Sequence, residues 1–244
     1  MPVDLKQLEK HEAVSRHQWP QALILQAEDC LADLSLSMQD RRSLADGEKP
    51  VAIARQLETL AAEHDGIFMK VCGFSWKGTR IFELTDGKIA DRLDVDLYFS
   101  DVPLRISRLL SSAPPDRYPG RLEIYKWRAI DPASEFRVFM QDRRVVGASQ
   151  YHDNGQFTEI YSNLAEIHVA LSRFGVWLQD NCHVDDVAAD VVIEGAVNNW
   201  NVRLIELNPL HHGTGRCLFP LPRFDGMLRF RGEAGKVLGV PLNV

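Results

Sequence analysis

The stretch VRLIELNPL, residues 202–210, reads as a β-strand that carries two oxygen-bearing side chains, Glu206 and Asn208, at a spacing of two. Side chains alternate along a strand, so these two lie on one side roughly 6.6 Å apart, while Ile205 and Leu207 point to the other. One face packs and the other can ligate. A second acid lies upstream in ADVVIE, residues 189–194, another strand, with the Asn-rich GAVNNWN between them acting as a turn. A hairpin symmetric about Asn198 sets Asp190 opposite Glu206. Two carboxylates facing each other across a strand pair repel unless a cation lies between them. Magnesium suits such a place, because it takes carboxylate and carbonyl oxygens and completes its shell with phosphate and water. The same residues on a solvated sheet face would need no cation, and the hairpin alone leaves both readings open.

The chain has 244 residues, 45% hydrophobic and 25% charged, which fits one large domain or two small lobes with an ample core. There is no apolar run of bilayer length and no charged-then-apolar leader, so a cytoplasmic protein without membrane contact is expected. Cys30, Cys72, Cys182 and Cys217 are scattered without a CxxC pair, arguing against a disulfide frame or a zinc site. A net charge of −6 gives no general attraction to nucleic acid, although Arg121, Lys126, Arg128, Arg137, Arg143 and Arg144 concentrate positive charge locally.

Residues 1–65 read as a helical segment: WPQALILQAEDCLADLSLSM and PVAIARQLETLAAE both carry apolar positions at helical spacing, with QDRRSLADGEKP as the loop between. A small strand-rich lobe follows over 66–120, in which GIFMKVCGF and TRIFEL are strands around a Ser-Trp-Lys-Gly turn and PLRISRLLSS is a helix. Residues 121–244 form a larger lobe with RLEIYKWRAI, EFRVFM and VVGASQY as strands, the helix NLAEIHVALSRFGVWLQDN, and the two acidic strands. The class is α+β.

Phosphate-binding candidates are Lys70, at a strand end, and Lys77, in a turn where Gly73, Ser75 and Gly78 leave room for backbone amides to approach an anion. No GxxxxGK[ST] or GxGxxG motif is present. In EFRVFM, Arg137 projects from the polar side of an apolar strand, where it could clamp a terminal phosphate or pair with Glu135. IYKW reads as a hinge strand whose backbone could read an adenine edge, with Trp127 or Ile124 covering the ring. His211 and His212 beside Asn-Pro lack a zinc spacing and read as loop residues.

The order of these parts resembles the ATP-grasp fold, in which nucleotide lies between two α+β lobes built on antiparallel sheets. More narrowly, KWRAIDPASEFRVFMQDRRVVGASQ, FMKVCGFSWKG and IELNPL resemble the cell division cycle protein 123 family, over roughly residues 67–219. The resemblance implies ATP and Mg²⁺ as cofactors, with phosphate contacts at Lys70 and Lys77, hinge contacts at Lys126 and Trp127, a catalytic or phosphate contact at Arg137, and metal ligands Asp190, Glu206 and Asn208. It differs from the family at Gly78 and Gly215, where an acid is usual, and at Glu206, where aspartate is usual. The function expected is ATP-dependent, ligase-type activation of a carboxylate through an acyl phosphate, on a large or macromolecular substrate. The alternative is a non-catalytic, ATP-dependent assembly factor acting on a protein partner, as the family is associated with assembling a translation initiation complex.

Overall fold

A computed structural model describes residues 4–116, 118–196, 199–220 and 223–244. Its elements run α1 (Leu5–Ala13), α2 (Gln21–Gln26), β1 (Cys30–Ser35), α3 (Met38–Ala45), α4 (Val51–His64), β2 (Ile67–Val71), α5 (Arg80–Thr85), α6 (Arg92–Ser100), α7 (Leu104–Ser112) and β3 (Arg121–Lys126). They continue with β4 (Glu135–Gln141), β5 (Arg144–Gln150), α8 (Thr158–Ser162), α9 (Leu164–Asn181), β6 (Val187–Ala196), β7 (Asn199–Pro209), β8 (Met227–Arg231) and β9 (Val237–Pro241). The α+β class follows directly. Two units form: residues 1–17 with 29–129, and residues 18–28 with 130–244.

In the first unit an antiparallel sheet runs β1-β3-β2. Its inner face, Ile67, Met69, Val71, Leu122 and Ile124, is buried in one core with Ile53 and Leu57 of α4, Trp76, Tyr98, Phe99 and Leu110. The opposite face carries polar groups, among them Lys70, Glu123 and the Arg121–Asp33 ion pair at 2.7 Å. Alternation explains the division, since odd residues of β2 and even residues of β3 point inward.

Several expectations for this unit give way. Residues 1–65 are not a helical segment of their own: 18–28 group with the second unit, and CLADLS pairs with β3 as strand β1. Its helical spacing loses to a cross-strand ladder, because pairing decides where propensity is weak. The stretch read as a loop contains α3, whose Ser37 and Asp40 form a reciprocal capping box and whose Arg41 and Leu44 are buried. TRIFEL is α5 rather than a strand, started by the Thr79 hydroxyl accepting from Phe82 N and stopped by Asp86 in the left-handed region. Six residues are too few for periodicity to separate helix from strand. With α6 following, Arg80–Thr85 and Arg92–Ser100 are two helices, and β3 is the central strand of this unit's sheet rather than the opening of the larger lobe.

The second unit holds a six-stranded sheet ordered β7-β6-β4-β5-β8-β9. All its pairings are antiparallel except β5 with β8, so the sheet is mixed rather than wholly antiparallel. The 18-residue helix α9 packs against β4, β5 and β7. Phe136, Val138 and Met140, all fully buried, point to one face of β4, and Arg137 points to the other. The edge strand β7 is partly covered: Glu28 N donates to Leu204 O at 2.9 Å, and the Arg203 guanidinium donates to Ala27 O at 3.2 Å. The expected turn centre, Asn198, lies outside the described residues.

Candidate functional site

A register shift in the β6–β7 hairpin creates the site. Near the tip Ala196 pairs with Asn199, Ile193 with Val202 and Val191 with Leu204; past a bulge, Asp190 pairs with Glu206 and Ala188 with Asn208. An unbroken ladder from the tip would oppose Asp190 to Ile205. The extra residue on β7 also switches the burial phase. Val202 and Leu204 are buried before it, Leu207 and Pro209 after it, and Glu206 and Asn208 fall on the Asp190 face.

On that face Arg137 of β4 stands opposite Asp190 and grips it with two parallel hydrogen bonds, Nε to Oδ1 at 2.6 Å and Nη2 to Oδ2 at 2.7 Å. Its Nη1 donates to Gly215 O at 2.9 Å. Asp190 is 2% exposed and Arg137 7%, so the pair is enclosed in protein. The Asn208 amide nitrogen donates to Asp190 Oδ2 at 3.0 Å and to Glu206 Oε1 at 3.1 Å, which brings both carboxylates onto one point. Turning that amide about its last torsion would present Oδ1 there. Asp190, Glu206 and Asn208 therefore fit a hard divalent cation that completes its shell with other oxygens. Among the described residues no three His, Cys, Asp or Glu side chains cluster for a metal, so the donor set is two acids and an amide.

Burial pushes the Asp190 carboxyl up to about 7; Arg137 opposes the rise through its charge and hydrogen bonds, and Glu206 adds to it. Burial alone would lower the Arg137 guanidinium, but Asp190 holds it above its ordinary value. The folded protein thus binds the Asp190 proton more tightly than an unfolded chain does. Stability from this group is complete below about pH 4 and is lost as the pH rises through about 7. In chelator-treated protein, melting temperature should fall between about pH 5 and about pH 8, and the Asp190→Asn variant should show a shallower fall. Equal slopes would remove Asp190 from the titration.

Arg137 was a candidate for pairing with Glu135; instead, Glu135 meets His152 Nε2 at 2.7 Å. Residues that sequence reasoning missed surround the clamp. The Tyr151 ring lies 5.0 Å from the Arg137 guanidinium carbon. Ser149 faces Arg137 in the β4–β5 register, and its Oγ accepts from Leu218 N at 3.2 Å, tying down the segment that carries Gly215. The stretch that carried the family resemblance ended at Gln150, so it took in Ser149 but not Tyr151. His211 Nδ1 accepts from Gly213 N at 2.9 Å, as a loop residue does.

In the first unit Lys70 is buried, opposite Glu123 on the polar face of the sheet. Lys77 is exposed in a turn whose Ser75 and Lys77 carbonyls accept from Arg105, at 2.6 and 2.9 Å. Lys126 is exposed at the end of β3. Trp127 Nε1 donates to Asp86 O at 3.0 Å, and the Lys88 ammonium lies 5.0 Å from its ring. Ile124, the alternative ring cover, is in the core.

The fold and this face define an α+β protein with a guanidinium-clamped pair of carboxylates bridged by an amide. A family model described as D123 matches residues 91–227, more than half of the chain, and the chain belongs to that family. The match includes Lys126, Trp127, Arg137, Asp190, Glu206 and Asn208, while Lys70 and Lys77 precede it. The chain is 28% identical over 132 residues to a translation initiation factor eIF2 assembly protein of Candida albicans, and 30% identical over 99 residues to one of Sclerotinia sclerotiorum. These alignments take in 52% and 40% of this chain but only 35% and 24% of those proteins. Cdc123 from Schizosaccharomyces pombe has the same fold, with a TM-score of 0.70 at 15% identity over 90% of this chain and 91% of that one. Among the described residues no helix is long and apolar enough to cross a membrane.

Proposed function

We propose that this protein binds ATP with magnesium and uses the bound nucleotide to support assembly of a protein complex. The observation that carries the reading is the convergence of Asp190 and Glu206 on the Asn208 amide, inside the stretch matched by the family. With Asp190 and Glu206 ionised, Arg137 leaves the group one negative charge, and a divalent cation would turn that into one positive charge. Such a centre favours polyphosphate. When bound, magnesium would neutralise phosphate oxygens; Asp190, Glu206 and Asn208 would hold it. Arg137, committed to Asp190, orders that carboxylate rather than acting as a mobile phosphate clamp. Lys70 and Lys77 are proposed as phosphate contacts and Lys126 and Trp127 as adenine contacts, in keeping with the ATP-grasp resemblance of the sequence.

The assembly role is favoured over a ligase because both curated relatives are named for assembling translation initiation factor eIF2. A protein partner, with a translation factor as the first class to try, follows from the same names. Acyl-phosphate chemistry would rest on the nucleotide site alone.

The test is calorimetric titration and thermal melting with ATP, ADP and GTP, each with and without magnesium, on wild type and Glu206→Gln. Magnesium-dependent binding of ATP is expected in the wild type, with a melting temperature raised by a few degrees at saturation. The variant should lose most of the magnesium dependence. No binding of any nucleotide to the wild type would sink the proposal.

A further inference from the structure

We propose that Glu123 is a positioning residue for Lys70: its carboxylate, fixed by the Tyr125 hydroxyl, holds the Lys70 ammonium on the polar face of the β1-β3-β2 sheet. The inference rests on reading Lys70 as a phosphate contact, and adds residues that the reading did not contain.

Lys70 and Glu123 are direct partners in the β2–β3 register, so their side chains leave the same face of the sheet side by side. They are 5% and 4% exposed, and a buried ammonium needs a counter-charge near it. A lysine has four rotatable side-chain bonds and no preferred fork, so something else must set its direction. Two aromatic rings do part of this: the Lys70 nitrogen lies 5.5 Å from the centre of the Tyr125 ring and 5.8 Å from that of Phe68. Glu123, its register partner, puts a carboxylate beside it on that face, close enough for the Lys70 charge to act on it. Its Oε2 accepts from the Tyr125 hydroxyl at 2.7 Å, and because Tyr125 is two residues along the same strand, the donor is carried on the same face.

The other charged and titratable groups facing Glu123 have separate places. Asp33, its neighbour on β1, is held by Arg121 at 2.7 Å, and Cys30 pairs in register with Tyr125. The Arg16 guanidinium carbon lies 5.7 Å from the centre of the Tyr125 ring. Burial is the main influence on Glu123 and raises its carboxyl above the usual range; the Tyr125 hydrogen bond and the Lys70 charge draw it back, Asp33 adds to the rise and Arg16 opposes it.

The experiment is competitive labelling of lysines with an amine-acylating reagent, read by mass spectrometry, on the nucleotide-free 244-residue chain. Lys77, which is exposed, serves as the internal reference. Only the neutral amine reacts, so removing the facing carboxylate should raise the Lys70 to Lys77 labelling ratio at about pH 8 by roughly threefold or more, a tenfold change corresponding to one pKa unit. Glu123→Gln is the test variant, and Tyr125→Phe is a second route to the same effect should Glu123→Gln fold poorly. A ratio equal to wild type in folded Glu123→Gln and Tyr125→Phe overturns the proposal, whatever the protein does with nucleotide. Protection of Lys70 by magnesium-ATP in the wild type is the separate arm. If the ratio changes in the variants but ATP gives no protection, the ammonium is held by Glu123 for a purpose other than phosphate.

Discussion

Asp190→Ala is expected to cost about 3–5 kcal/mol of stability, which is what removing one member of a buried ion pair typically costs. The substitution leaves the Arg137 guanidinium enclosed with a single acceptor, Gly215 O, among the bonds that now hold it, and it also takes one of two acceptors from the Asn208 amide. Urea denaturation at about pH 7 should show the loss as a lower midpoint at unchanged slope. Arg137→Met/Asp190→Leu should recover most of that stability, since replacing both partners by apolar groups removes the stranded charge as well as the pair. Magnesium-dependent nucleotide binding should be absent from the single and the double variant alike. A double variant as unstable as Asp190→Ala would mean that the loss lies in packing rather than in charge. A stable Asp190→Ala protein would mean that Arg137 finds another acceptor.

Arg41→Met is expected to be at least as damaging, in the other unit and for another reason. Arg41 is 2% exposed, and among the described residues its hydrogen bonds go to main-chain carbonyls: Leu110 O at 3.1 Å, Ala113 O at 2.8 Å, and Tyr118 O. Leu110 lies in the last turn of α7 and Ala113 is its C-cap, so the guanidinium completes a helix end whose carbonyls have no partners within the helix. Burial lowers the Arg41 pKa, yet the group stays charged, and the negative ends of the peptide dipoles are what it meets. Methionine fills most of the volume and satisfies none of the three oxygens. At about 1–3 kcal/mol for each stranded acceptor, a total of about 3–9 kcal/mol is expected, and a melting temperature lower by roughly 10 °C or more. Arg41→Lys should recover only part, because an ammonium cannot reproduce the planar fork. A fall of under about 2 °C in Arg41→Met would show that water reaches these carbonyls.

Much of the second unit was legible because its sequence is locally consistent. In EFRVFM the even residues are apolar and buried, and the helix at 164–181 buries Ile167, Leu171, Phe174 and Leu178, as its spacing predicts. Asp190 opposite Glu206 was also legible, although the symmetric hairpin reached the right pairing without the bulge that produces it. The partners of Arg137 were not legible. Strand alternation gives the face on which a side chain lies but not which acceptor on a neighbouring strand it reaches, and Asp190 is 53 residues away. Arg41 was invisible for a related reason: QDRRSLADGEKP is polar enough to pass for a loop, and the carbonyls that make burial of its arginine tolerable lie 69 to 77 residues further on. The lysine of FMKV could be singled out from its strand, whereas Glu123 and Tyr125 became its neighbours only once β2 and β3 were in register.

The bulge at Ile205 divides one hairpin into two lengths that can evolve under different rules. Toward the tip, inward positions such as Val191, Ile193, Val202 and Leu204 answer only to packing, and matched changes on both strands leave the half that carries Asp190, Glu206 and Asn208 in phase. Beyond it, a one-residue insertion or deletion would turn Glu206 and Asn208 away from Asp190 together. Variation in hairpin length should therefore collect at the tip, and descendants of this protein could lengthen or shorten that end while keeping Asp190, Glu206 and Asn208 on one face at the base.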